Sequence, residues 1–271
     1  MTLKWFILIG VAFFLVVLYF VYSKQKYLIF FPSSIPFKKC PVVEKLGGKI
    51  VEKKTSTETI RYYMLQTASA KATVIHFHGN GGRACDWLTN FGQEYISRSL
   101  NVFFVEYPGY AEQADLPSQE QLLRYSLAVY DDIVALSDIN KVFLHGISLG
   151  SGVATYVASQ RPCEGLMLDN AYPSLSRIGK LHYSFLPIDL ILRYPLPAEI
   201  YAKQVTAGVL IQQGDRDEVI PLPLVKEQSK NFANLNLFKI YKGAHHNDLS
   251  NNPSYWETIE NFIASSQVSK N

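Results

Sequence analysis

An apolar run that ends in Gly146-Ile147-Ser148-Leu149-Gly150 and resumes as a second apolar stretch leaves few folds open to this chain. Val142, Phe143 and Leu144 predict a short buried strand, and Leu149, Val153, Ala154, Tyr156, Val157 and Ala158 predict the helix after it. A serine between glycines at this junction is the pattern of a nucleophile elbow. There the chain turns so sharply that Gly146 and Gly150 approach neighbouring backbone where a Cβ would clash. The turn also sets Ser148 at a helix N-terminus, whose unpaired N–H groups and positive dipole end favour a developing oxyanion. The same five residues also read as a small-residue turn with a helix-capping serine. The rest of the chain decides between the two.

Strand-like and helix-like segments alternate throughout. Expected strands lie at 49–53 and 60–66, forming an antiparallel edge, then at Ala72–Phe77, 102–105, Gly165–Asp169, 205–211 and 237–241. Expected helices lie at 84–99, from Ser118 with Gln121 three residues on, at 222–233 and at 254–265. Short apolar strands separated by helices mean βαβ units: an α/β fold whose mostly parallel sheet of seven or eight strands is covered on both faces. In such sheets, ligand chemistry lies at the carboxyl ends of the strands.

At 271 residues, with 48% apolar and 18% charged residues, the chain has the material for one large domain. The net charge of +3, with no basic run or aromatic-interleaved patch, excludes a nucleic-acid partner. Cys40, Cys85 and Cys163 are widely separated and odd in number, which suggests no disulfide framework. Each reads as a small buried apolar residue.

Residues 5–22 carry no charge and are framed by Lys4 and by Lys24 and Lys26, close to the lower limit of a bilayer-spanning helix. Trp5, Tyr19 and Tyr22 sit where interfacial aromatics belong. The run exceeds a signal-peptide core and no small-x-small site follows it, so a retained single-pass anchor is expected. Lys24, Lys26, Lys38 and Lys39 weigh toward a cytoplasmic catalytic domain, against Lys4 and the α-amino group; the side stays open. The organisation expected is an anchor at 1–26, a Pro- and Gly-containing tether at 27–48, and one domain at 49–271.

Three strand ends carry complementary chemistry. Ser148 follows one, Asp215 and Asp217 follow the strand ending near Ile211, and His245 and His246 follow the strand ending at Tyr241. A serine hydroxyl is a weak nucleophile, so an imidazole of free pKa about 6.5 must take its proton and a carboxylate must orient that imidazole.

His78-Gly79-Asn80-Gly81-Gly82, Tyr107-Pro108-Gly109-Tyr110, His145-Gly146-Ile147-Ser148-Leu149-Gly150, Gly214-x-x-Asp217-x-Val219-Ile220-Pro221 and Gly243-Ala244-His245-His246-Asn247-Asp248 together resemble the α/β-hydrolase superfamily. Within it they are most similar to the single-pass, membrane-anchored members of the ABHD type. The resemblance runs from the tether onward and implies an eight-stranded α/β-hydrolase fold with a short cap at 171–204. It also implies Ser148 as nucleophile, Asp217 as acid and His246 as base. The family usually has Gly where His245 stands. The oxyanion hole is expected from the backbone N–H of Leu149 and from Asn80, with Gly81 as the alternative.

Other residues carry competing readings. His76 and His78, two apart on a strand, could share a metal, but no supporting cluster follows, so they read as a core and a loop-organising histidine. Asp169 ends a strand and is the alternative acid. Asp215 reads as a solvated turn residue, His182 as cap surface, and Glu106 as a salt-bridged structural group. The apolar cap fits a greasy substrate, or simply closes the core. The expectation is a serine hydrolase that cleaves an ester or thioester of an acyl lipid or lipidated substrate through an acyl-enzyme, with neither metal nor organic cofactor. An aminopeptidase or amidase on the same fold, or a catalytically silent membrane-tethered binding protein, are the alternatives.

Overall fold

Strands covered on both faces have no use for a polar side, and Ala72–Phe77, Leu100–Val105 and Gly165–Asp169 are buried at every position. The computed structural model describes residues 3–111, 115–136, 139 and 141–268. The outermost residues of the expected anchor and domain, 1–2 and 269–271, lie outside these. The sheet is built of β1 (Lys49–Lys54), β2 (Thr59–Leu65), β3 (Ala72–Phe77), β4 (Leu100–Val105), β5 (Val142–Ile147), β6 (Gly165–Asp169), β7 (Gly208–Gly214) and β8 (Leu235–Tyr241). Their order is β8-β7-β6-β5-β3-β4-β2-β1. Pairings of β1 with β2 and of β2 with β4 are antiparallel, and the rest are parallel. This is the α/β-hydrolase fold expected. From β3 the chain steps to β4 on one side and then to β5 on the other, so the carboxyl ends of β3 and β5 flank a topological switch point.

The helices are α1 (Leu3–Ile29), α2 (Pro41–Lys45), α3 (Ala84–Ser97), α4 (Gln119–Val134), α5 (Leu149–Gln160), α6 (Leu175–His182), α7 (Ile188–Ile191), α8 (Ala198–Ala202), α9 (Leu222–Ser229) and α10 (Tyr255–Val268). Leu122, Val129, Val153, Val157 and Val225 of α4, α5 and α9 bury one sheet face, and Val43, Leu88, Tyr95, Tyr255 and Ile259 of α2, α3 and α10 the other. Each such side chain contributes roughly 1.5–3 kcal/mol by leaving water. Ser118 caps α4, its Oγ accepting the Gln121 N–H at 3.1 Å. The expected strand at 205–211 begins instead at Gly208 and continues through two buried glutamines. Polarity does not end it because Gln212 and Gln213 donate inside the fold, to Asp169 and Asp217. The cap breaks into α6, α7 and α8.

The cysteine expectation needs correction. Cys40 and Cys85 form a buried disulfide with Cα atoms 5.8 Å apart, and Cys163 lies outside it. Their separation of 45 residues carries no pairing signal. They meet because the segment after α1 folds back over the domain. Phe31–Pro32 pairs in parallel with Gly81–Gly82. Phe37, fully buried, stacks on Tyr63, whose hydroxyl donates to the Phe37 carbonyl at 2.7 Å. Within residues 27–48, Phe30, Phe37, Cys40 and Val43 are buried.

Among the described residues, α1 is the one helix long and apolar enough to cross a membrane. Its apolar side chains from Leu3 to Tyr22 face outward almost throughout.

Candidate active site

Ser148 has φ +52° and ψ −119°, a strained conformation for a residue with a side chain. The strain is enforced by packing. A Cβ on Gly146 would lie 2.3 Å from the Gly150 carbonyl oxygen, and one on Gly150 only 2.0 Å from that of Phe77. The Ser148 N–H donates to the Asp169 carbonyl at 2.9 Å, which ties the turn to β6. Gly150→Ala must push backbone apart and is expected to destabilise the fold by about 3 kcal/mol or more. Gly81→Ala, with open space around the new methyl, should stay within about 0.5 kcal/mol. Thermal unfolding of the two variants checks the difference.

Turns after β7 and β8 bring two of the expected partners to this serine. His246 Nε2 lies 3.0 Å from Ser148 Oγ, and His246 Nδ1 lies 2.8 Å from Asp217 Oδ2. Asp217 Oδ1 accepts the N–H groups of Val219 and Ile220, both at 2.8 Å, and Oδ2 also accepts from Gln213 Nε2 at 3.1 Å. Burial alone would push the Asp217 carboxyl up. The His246 imidazole and these donors outweigh it and hold the group below the usual carboxylate range. An ionised Asp217 that already accepts from its own turn is fixed in orientation, and so is the imidazole against it. His245 points elsewhere: it is exposed, with Nδ1 3.1 Å from Glu218 Oε2 and its N–H on Asp248.

The glycine turn after β3 packs beside the serine, but through Gly79, where a Cβ would sit 3.8 Å from that of Ser148. Asn80 is exposed and its amide reaches the Ile29 carbonyl of α1 at 3.2 Å, so any oxyanion contact from this residue is through its backbone. Its carbonyl accepts the Phe31 N–H at 2.9 Å and the Tyr110 hydroxyl at 2.7 Å. Tyr107 likewise donates to the His78 carbonyl at 2.8 Å. The Tyr-Pro-Gly-Tyr motif therefore holds the turn by its carbonyls. Leu149 opens α5, its side chain buried and its carbonyl taking the Tyr172 hydroxyl.

The competing candidates serve packing. Asp169 is buried, its carboxylate shared by Tyr255, Gln212 and His145 beneath the elbow. His76 sits among Phe91, Tyr95 and Phe104, and burial drives its pKa well below the ordinary value. His78 is one residue past the strand end. It turns instead to Glu106, 3.7 Å away, and to Tyr107. Glu106 accepts the Ala84 N–H under the glycine turn, and its burial raises its pKa. Asp215 is exposed and accepts the Gly243 N–H, and His182 meets the Val219 carbonyl at 2.8 Å.

One positioning group escaped the sequence reading. Asn170, buried and at φ +53°, donates from its side chain to the His246 carbonyl at 2.7 Å and from its backbone to Gln212. A positive φ in an asparagine leaves no periodic signal. A cleft of about 660 Å³ opens beside His246, walled by Gly81, Gly82, Trp87, Phe91, Asn170 and Trp256 among others.

No family model matches the chain. It is 28% identical over 236 residues, 86% of its length and 84% of the other's, to an uncharacterized protein of Mycobacterium tuberculosis, Rv2307c. The bem46 protein of Schizosaccharomyces pombe is 24% identical over 293 residues, with 98% and 95% covered. The lysophosphatidylserine lipase ABHD12 of Macaca fascicularis is 24% identical over 239 residues, 76% of this chain and 59% of that protein. Among solved structures, Est1E from Butyrivibrio proteoclasticus aligns at TM-score 0.64 with 16% identity, over 80% of this chain and 98% of that one. A Pyrococcus furiosus esterase aligns at 0.65 with 14% identity, over 88% and 97%.

Proposed function

We propose that this chain, which has the α/β-hydrolase fold, is a membrane-anchored serine hydrolase that cleaves acyl esters or thioesters with Ser148, His246 and Asp217. The observation that carries this reading is one imidazole bridging the hydroxyl and the carboxylate, 3.0 Å and 2.8 Å away. Ser148 Oγ attacks the acyl carbonyl while His246 Nε2 takes its proton. The tetrahedral oxyanion is held by the Leu149 N–H and a second N–H from the turn at Gly79-Asn80-Gly81. Collapse breaks the bond to the leaving oxygen or sulfur, which receives the proton from His246 and leaves the acyl group on Ser148. Water, deprotonated by the same imidazole, then releases the acid. Asp217 keeps Nδ1 protonated and stabilises the imidazolium.

Acyl lipids are the favoured substrates. The apolar α1, the apolar cap and the lipase name of one relative support this choice. The buried Cys40–Cys85 disulfide supports an oxidising compartment for the catalytic domain, against the lean of Lys24, Lys26, Lys38 and Lys39. Hydrolysis rates of p-nitrophenyl esters against acyl chain length test the substrate class. Medium and long chains should exceed acetate by about tenfold or more in kcat/KM, since each buried methylene contributes roughly 0.8 kcal/mol. Preference for acetate contradicts the lipid reading, and matching rates on the corresponding anilides would move the enzyme to the amidases.

A further inference from the structure

The anchor helix does not stop where its apolar run ends. From Leu3 to Tyr22 it rises about 30 Å, the thickness of a bilayer core, and two further turns continue to Ile29. Gln25 in those turns is almost fully buried and grips the cap by both ends of its amide. Nε2 donates to the Ile191 carbonyl at 2.5 Å and Oε1 accepts the Arg193 N–H at 2.7 Å. The Arg193 guanidinium lies 5.4 Å over the Tyr22 ring, at the end of the apolar run. Lys26 adds a bond to the Leu116 carbonyl at 2.7 Å. Gln25 is three residues, hence about 4.5 Å of rise, beyond Tyr22. The cap is therefore fixed to the helix at the height where a bilayer's polar layer begins.

Around this attachment the cap exposes large apolar side chains. Leu181, Tyr183, Phe185 and Leu190 are 53%, 54%, 70% and 85% exposed within ten residues of chain. The segment is not loose: Leu186 and Ile188 are buried, Lys180 pairs with Asp189 at 2.5 Å, and His182 holds the Val219 carbonyl. So dense an apolar group, held out by a packed segment, marks an interaction surface. Arg193, against Tyr22 at the end of the apolar span, is a cation suited to lipid phosphates.

We propose that residues 181–190 of the cap lie in the headgroup and upper acyl layer of the leaflet that α1 crosses, so that the acyl chain reaches Ser148 from the membrane rather than from water. The occupant is a phospholipid leaflet, selected by continuity with the apolar span of α1 and by the fixed height of the cap. The link to the chemistry is short. His182 holds the carbonyl of Val219, whose N–H holds Asp217, so the inserted segment abuts the acid turn. The inference rests on the reading of α1 as an anchor and, for its delivery role, on the acyl-lipid reading.

The test uses the full chain in vesicles of phosphatidylcholine and phosphatidylserine. Phe185→Cys and Leu190→Cys, each in a Cys163→Ser background, carry an environment-sensitive fluorophore. The result expected is a blue-shifted label quenched by lipids spin-labelled near the headgroup, at both positions. A water-like spectrum without lipid quenching overturns the proposal, and so does self-quenching that grows with protein density, which would put a second copy on this face. The readout does not depend on turnover, so quenching in a protein that hydrolyses nothing would retain the membrane surface and reject the hydrolase. Phe185→Ser with Leu190→Ser should lower kcat/KM about tenfold on vesicle-borne p-nitrophenyl palmitate and leave soluble p-nitrophenyl acetate unchanged. Equal loss on both substrates overturns the delivery role.

Discussion

Ser148→Ala is expected to reduce turnover of any accepted ester by about 10⁴-fold or more, with folding unchanged. His246→Ala should match it, because the proton that leaves Ser148 Oγ has only this imidazole within hydrogen-bond reach, at 3.0 Å among the described contacts. The double variant should be no slower than either single one, since nucleophile and base act as a unit. His245→Ala should retain activity within a few-fold, its ring being turned to Glu218. Steady-state hydrolysis by the four proteins checks all of this. Full activity in His246→Ala with loss in His245→Ala would reverse the assignment of the base.

Removal of the Cys40–Cys85 bridge is the second large effect. It closes a loop of 45 residues, for which the chain-entropy account gives about 4 kcal/mol of stability. That is a large fraction of what a domain has to spare. The effect should reach the active site as well, because Cys85 lies in the first turn of α3, three residues past Gly82. Cys40→Ser with Cys85→Ser should lower the unfolding midpoint by roughly 2–4 °C per kcal/mol lost, and reduction of the wild type should reproduce the shift. Equal melting with and without reductant would remove both the bridge and the argument for an oxidising compartment.

The strand ends were legible because each carries its chemistry in a few consecutive residues. A glycine on either side of Ser148 answers a local clash, and Asp217 accepts N–H groups only two and three residues away. The sheet could be read because β3, β4 and β6 are mainly apolar runs with only a few polar positions, Thr73, His76, Asn101 and Asp169, all of them buried. What stayed hidden depends on contacts far apart in sequence. Nothing near Cys40 announces Cys85. Nothing in residues 27–48 announces that Phe31 and Ser33 will bond to Asn80 and Gly82, which lays part of the expected tether against the glycine turn. Asn80 was chosen for its place in a motif. Its side chain turns to α1, and Gly79 packs against Ser148, contacts made between distant stretches of the chain. Asn170 was missed for the same reason: its bond to the His246 carbonyl spans 76 residues.

The central claim is that Ser148 is an activated nucleophile, and a fluorophosphonate probe reads this without knowledge of the substrate. Tandem mass spectrometry of the labelled full chain should find the phosphonyl adduct on the peptide containing Ser148, with labelling abolished in Ser148→Ala and strongly slowed in His246→Ala. Equal, weak labelling of wild type and Ser148→Ala, or an adduct on another residue, would contradict it.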